Sequence, residues 1–70
     1  MKYSKKEIAR YTSALNYIRE ELATGRHIIA CLGSAGYTFN DDVNRLCHFA
    51  SHTHMDVAEK IREHCNFITV

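Results

Sequence analysis

The sequence predicts an all-α fold, a small bundle in which three helices pack around one core. Apolar residues recur at helical spacing along most of the chain, proline is absent, and glycine occurs only three times. Seventy residues are the length of one small domain, so residues 1–70 are treated as a single helical domain. A core of this size gives a thin margin of stability, which small proteins often increase with a disulfide, a metal or a second subunit.

The first helix is predicted to run from Ser4 to Thr24. Ser4 and Glu7 have the spacing of a capping box, in which each side chain accepts a hydrogen bond from a backbone N–H at the helix start. Gly25 is predicted to end the helix, because glycine adopts the left-handed conformation of a helix C-terminus without a steric clash. The predicted apolar face consists of Ile8, Tyr11, Leu15, Ile18 and Leu22.

Residues 26–39 allow two interpretations. Composition alone is consistent with a short buried strand at 27–32. However, no second strand is predicted to pair with it, and an isolated strand leaves its backbone groups unsatisfied. The segment also has a helical face, formed by Ile28, Leu32, Ala35 and Phe39. We therefore prefer a short helix that ends between Gly33 and Gly36.

The last helical segment is predicted from Asp41 to Cys65, capped by Asn40 or Asp41. Residues 51–54 are poor helix formers, and a corner there would divide the segment and give four helices in total. An apolar stripe nevertheless keeps one helical phase through Val43, Cys47, Ala50, His54, Val57, Ala58, Ile61 and Cys65. Because propensity is a weak guide, we prefer one long helix.

The length of that helix suggests a homodimer. About 25 residues would extend about 37 Å, which is more than a monomer of this size covers well. The suggestion depends on the continuity of the helix through residues 51–54.

Charge and cysteine content limit the function classes. The net charge is only +1, although Lys2, Lys5, Lys6 and Arg10 make the start of the chain basic. Three cysteines cannot all pair within the chain, and no apolar run reaches the length of a membrane span. We expect a cytoplasmic protein with reduced thiols, buried as small apolar residues, and no membrane partner.

Histidines supply the candidate chemistry. His48 and His52 are four residues apart, the spacing at which two imidazoles can share a metal ion on one helix. They are weak candidates because no CxxC or HExxH pattern supplies further ligands, and no cofactor is expected. His54 lies within the apolar stripe, where we expect a hydrogen-bonded core residue; the alternative is a contact that responds to pH.

The leading functional hypothesis is a non-enzymatic binding, adaptor or regulatory protein that acts through a protein partner. The sequence contains no recognisable catalytic set, and the outer face of the first helix combines Lys6, Arg10 and Tyr17. Tyrosine and arginine are favoured contact residues, and Phe49 is a second candidate because it lies off the main stripe. One alternative is a nucleic-acid-binding regulator that uses the basic first helix. The other is a metal- or redox-sensing protein that uses the histidines and cysteines.

Overall fold

Residues 3–64 are described by the computed structural model, and they form four α-helices. In chain order these are α1 (Lys5–Ala23), α2 (Ile28–Ser34), α3 (Asn40–Thr53) and α4 (Met55–His64). Because residues 3–64 contain no strand, the all-α prediction is confirmed. None of these four helices combines the length and the apolar character needed to cross a membrane. The prediction for Cys65 lies outside the described residues.

The two ends of the predicted first helix, Ser4 and Thr24, are the N-cap and C-cap of α1. The Ser4 Oγ atom accepts a hydrogen bond from the Glu7 N–H at 3.2 Å, and the Ser4 N–H donates to Glu7 Oε1 at 3.0 Å. Gly25 has a φ of +95°, and the following Arg26 N–H donates to the Glu21 carbonyl at 3.2 Å. This is the Schellman motif, so the local sequence fixes both ends of α1.

The apolar face of α1 is buried along most of its length. Tyr11, Leu15 and Ile18 are at most 2% exposed, and Leu22 is partly buried against the core. Ile8 differs from the prediction, because 40% of its surface is exposed. It lies at the edge of the apolar arc and near the start of the helix, where the other helices cover less of the face.

Helix α2 confirms the short helix preferred for the middle segment. The His27 Nδ1 atom accepts a hydrogen bond from the Ile29 N–H at 3.2 Å, so a histidine side chain caps the helix start. A second Schellman motif ends α2: Gly36 has a φ of +91°, and the Tyr37 N–H donates to the Leu32 carbonyl at 2.9 Å.

Helix α3 begins one residue earlier than predicted. Its N-cap is Phe39, which makes no side-chain capping bond and is 73% exposed. The prediction that Phe39 shares the buried face of the middle helix is therefore wrong, because α2 has already ended at Ser34. Asp41 and Asp42 lie in the first turn of α3, where their charges favour the positive end of the helix.

The preferred single helix from Asp41 to Cys65 is wrong, because the chain turns a corner at His54. His54 has φ −133° and ψ 66°, which is outside the helical region. Its N–H donates to the Ala50 carbonyl at 2.7 Å, and its own carbonyl accepts from the Ala58 N–H at 3.0 Å. A single residue thus ends α3 and starts α4 while both of its backbone groups remain hydrogen-bonded.

The apolar stripe continues across this corner although the helix axis does not. Both halves of the stripe are buried, at Val43, Cys47, Ala50, Val57, Ala58 and Ile61. The corner folds α4 back against α3, and α1 packs on both. Each helix therefore turns its own apolar face towards one shared core. The helix-length argument for a homodimer no longer applies, and the homodimer stays a prediction.

Candidate partner-binding groove

An open groove of about 550 Å³ separates α1 from the segment that joins α2 to α3. Helix α1 supplies one wall with Arg10, Tyr11, Ser13, Ala14 and Tyr17. The opposite wall consists of residues 34–37, and Asp42 from the first turn of α3 completes the lining. Pockets of this volume are typical of sites for small ligands or short chain segments.

The spacing along α1 aligns the first wall. Arg10, Ala14 and Tyr17 follow one another at steps of three and four residues, so their side chains lie along one side of the helix. The Arg10 guanidinium carbon lies 5.4 Å from the centroid of the Tyr11 ring, which is cation–π distance. Tyr17 keeps 40% of its surface exposed. This wall therefore offers one guanidinium and one accessible aromatic ring.

Tyr37 is positioned by the end of α2. It follows Gly36 in the Schellman motif, where the residue after the glycine usually packs back against the helix it has just left. Its ring centroid lies 6.3 Å from that of Tyr11, and only 8% of its surface is exposed. Its hydroxyl oxygen is buried and has no hydrogen-bond partner among the described residues.

Charges of both signs line the groove. The neighbouring Tyr11 and then Tyr37 raise the pKa of Arg10, so its guanidinium remains charged. Burial raises the pKa of Tyr37, Arg10 opposes that change, and Asp42 adds to it. Tyr37 thus lies within electrostatic reach of both a cation and a carboxylate. Among the ion pairs of residues 3–64, none involves Arg10.

The structure brings together two of the four predicted contact residues. Arg10 and Tyr17 both line the groove, whereas Lys6 is exposed on α1 outside the lining. Phe49 is a correction, because it is 1% exposed and belongs to the core. Its ring centroid lies 5.2 Å from that of Tyr11 and 5.3 Å from that of Tyr3. Because α3 contacts α1 on one side and α4 on another, its buried arc is wide enough to include Phe49.

The predicted metal candidates form a pair. The rings of His48 and His52 have centroids 5.6 Å apart at an angle of 85°, and both residues are exposed. Residues 3–64 contain no group of three or more histidine, cysteine, aspartate or glutamate side chains that could hold a metal ion. Structural zinc sites use four ligands and catalytic sites use three plus water, so this pair falls short of either within the described chain.

The other histidine and cysteine predictions concern the core. His54 is 8% exposed and hydrogen-bonded, which confirms it as a buried residue within the stripe. Cys31 and Cys47 are at most 2% exposed, in agreement with their prediction as small buried residues. The Cys47 Sγ atom lies 3.7 Å from the Ala58 carbonyl oxygen.

The sequence predictions included neither Tyr37 nor Asp42 among the site residues. One local signal for Tyr37 was present, since an aromatic residue directly after a glycine that ends a helix is expected to pack against that helix. No local sequence pattern placed Tyr37 beside Arg10, because the two residues are 27 positions apart in the chain (37 − 10).

Comparison with known proteins identifies no relative: no protein-family model matches the chain, and neither the curated proteins nor the solved structures give a significant match. The functional argument therefore rests on the groove and its residues.

Proposed function

We propose that this chain is a small non-enzymatic binding protein that acts by holding a segment of a protein partner in the groove. The observation that carries this proposal is the juxtaposition of Arg10 and Tyr17 on one wall with Tyr37 on the other. Arginine and tyrosine are enriched among the residues that dominate binding energy at protein interfaces. Tyrosine combines a large apolar ring with a directed hydrogen bond, which suits a surface that is exposed before binding.

Charge favours a protein segment over a nucleic acid as the occupant. The groove holds Asp42 as well as Arg10, and Asp41 lies in the same helical turn as Asp42. Carboxylates at this position would repel a phosphate backbone, and the net charge of +1 supplies little general attraction. A protein partner can match the two opposite charges with two residues of its own.

Site-specific photocrosslinking tests the proposal. A benzoylphenylalanine introduced at Ser13, which lines the groove, should crosslink the partner in cells of the native host. The same crosslinker at Glu59, an exposed residue of α4 outside the lining, provides the matched control. The partner identified at Ser13 is then purified, and its affinity is measured against wild type and the Arg10→Glu/Tyr17→Ala double variant.

The expected result is a protein that crosslinks from Ser13 and not from Glu59. Its affinity should fall at least about tenfold in the double variant, because truncating a contact of this kind costs more than about 1 kcal/mol. Lys60→Glu, which reverses a charge on α4, should leave the affinity unchanged. Full retention of binding by the double variant overturns the proposal, as does a product at Ser13 that nuclease removes.

A further inference from the structure

Two groups in the groove can donate a hydrogen bond to a ligand. The Arg10 guanidinium forms no ion pair within residues 3–64, and the buried Tyr37 hydroxyl has no hydrogen-bond partner there. We propose that Arg10 and Tyr37 together form a subsite for one carboxylate, carried by an aspartate or glutamate side chain of the partner segment. This inference rests on the proposed function and names the chemistry that the groove recognises.

Arg10 is suited to a carboxylate by both its charge and its position. A guanidinium presents parallel N–H donors that match the two oxygens of a carboxylate. The contact with the Tyr11 ring, at 5.4 Å from guanidinium carbon to centroid, orients the side chain before any ligand arrives. An oriented side chain loses less conformational entropy on binding than a free one.

Tyr37 supplies the second donor. Buried side-chain hydroxyls in proteins almost always have a hydrogen-bond partner. Only 8% of the surface of Tyr37 is exposed, so more than nine-tenths of the residue is buried. Tyr37 lines the same groove as Arg10, and Arg10 is near enough to lower the pKa of the Tyr37 phenol. A carboxylate held by Arg10 would bring an acceptor oxygen beside this hydroxyl.

Asp42 limits the charge that the groove accepts. Asp42 lines the groove. Its negative charge raises the pKa of the Tyr37 phenol, whereas the positive charge of Arg10 lowers it. A dianion such as phosphate, or a run of acidic residues, would meet this repulsion, whereas a single carboxylate can pair with Arg10 alone. The favoured segment therefore carries one isolated acidic residue, with an apolar neighbour to contact Tyr17.

Matched short peptides test the subsite directly. Backbone amide shifts of the ¹⁵N-labelled protein are followed during titration with acetyl-alanyl-glutamyl-phenylalanine amide and with its glutaminyl counterpart. The glutamyl peptide should shift the amides of residues 10–17 and 34–37 and bind about fivefold more tightly, as expected for one partly exposed ion pair. Inorganic phosphate, titrated separately, should bind more weakly than the glutamyl peptide.

Three variants test whether the preference for the glutamyl peptide depends on Arg10 and Tyr37. Arg10→Gln should bring the affinities of the two peptides close together, and Tyr37→Phe should weaken the glutamyl peptide more than the glutaminyl one. Lys60→Gln, which removes a cation elsewhere, should keep the wild-type ratio. Circular dichroism of each variant verifies that the helices remain folded.

Equal affinity of the wild type for both peptides overturns the carboxylate subsite, and so does tighter binding of phosphate. Retention of the glutamyl preference in Arg10→Gln also overturns it. These outcomes are separable from the proposed function: a partner that crosslinks specifically at Ser13 upholds the function even if the two peptides bind equally.

Discussion

The Nε2 atom of His54 lies 2.8 Å from the Oδ1 atom of Asn16, so the corner between α3 and α4 is hydrogen-bonded to the middle of α1. The other ring nitrogen, Nδ1, lies 2.9 Å from the Thr53 Oγ1 atom. His54 is 8% exposed, and both of its ring nitrogens have partners. His54 therefore stabilises the corner as a neutral imidazole, because a charged ring would lose much of its hydration.

The first prediction concerns pH. Burial, and then the nearby charge of Arg19 on α1, lower the pKa of His54 below its ordinary value of 6.5, while Asp56 on α4 opposes the change. The unfolded chain thus binds more protons than the folded chain in this range, and stability rises with pH. The contribution should be complete above the unfolded value and be lost as the pH falls through the folded pKa.

Thermal melts of wild type and His54→Gln measure this effect. Between about pH 7.5 and about pH 5.5, the melting temperature of wild type should fall more than that of the variant, because glutamine does not titrate. The exposed histidines, such as His48 and His52, remain in both proteins and cancel in the comparison. Equal losses in the two proteins would show that His54 does not contribute to the pH dependence.

The second prediction concerns the ion pair between α1 and α4. Arg19 donates to Asp56 from Nε at 2.9 Å and from Nη2 at 2.5 Å, and this contact lowers the pKa of Asp56. The side chains are 48% and 61% exposed, so solvent screens the pair and the coupling should be small. A double-mutant cycle with Arg19→Gln and Asp56→Asn measures it by urea unfolding.

Salt and acid provide the controls for that cycle. The coupling should decrease at high salt, and it should be lost as the pH falls through the lowered pKa of Asp56. The Lys60–Glu63 pair, with a single contact at 3.7 Å, should show a smaller coupling. A larger coupling for Lys60–Glu63 would contradict the importance of the two-point contact.

The third prediction compares two neighbouring glycines. Gly36 has a positive φ of 91°, whereas Gly33 is helical, and an added Cβ would meet no atom within 4 Å at either position. Gly36→Ala should therefore destabilise the protein by about 1 kcal/mol through backbone strain alone. Gly33→Ala should stabilise it by about 0.5 kcal/mol or more, because alanine loses less backbone entropy in a helix.

Urea unfolding of both variants checks the opposite signs. Gly36→Ala should also shift the amide signals around Tyr37, because the Schellman motif positions that ring. If the two substitutions change stability in the same direction, the left-handed end of α2 is not as described.

The fourth prediction separates a core residue from a surface residue. Phe49→Ala should cost about 3–5 kcal/mol and is expected to unfold much of the protein, because its ring packs against Tyr3 and Tyr11. Phe49→Leu is the milder variant and should retain the fold at lower stability. Tyr17→Ala should change stability by no more than about 0.5 kcal/mol. A similar loss from Tyr17→Ala would mean that Tyr17 supports the fold rather than an exposed contact surface.

Patterns among residues close together in the sequence gave the most reliable structural predictions. Ser4, Glu7 and Gly25 define α1 because capping bonds join residues only a few positions apart. The same locality explains why Arg10 and Tyr17 were correctly placed outside the buried face of α1. Phe49 was misplaced because its burial depends on which helices flank α3, and no local pattern contains that information.

The sequence by itself determined the all-helical class, the ends of α1 and the apolar phase of each helix, since these follow from hydrogen bonds and periodicity along a short stretch of chain. Tertiary structure alone decided the corner at His54 and the meeting of Tyr37 with Arg10. Periodicity reports the direction of side chains around an axis, but it does not report the direction of the axis itself. That direction is set when α4 folds back on α3 and buries both halves of the stripe in one core.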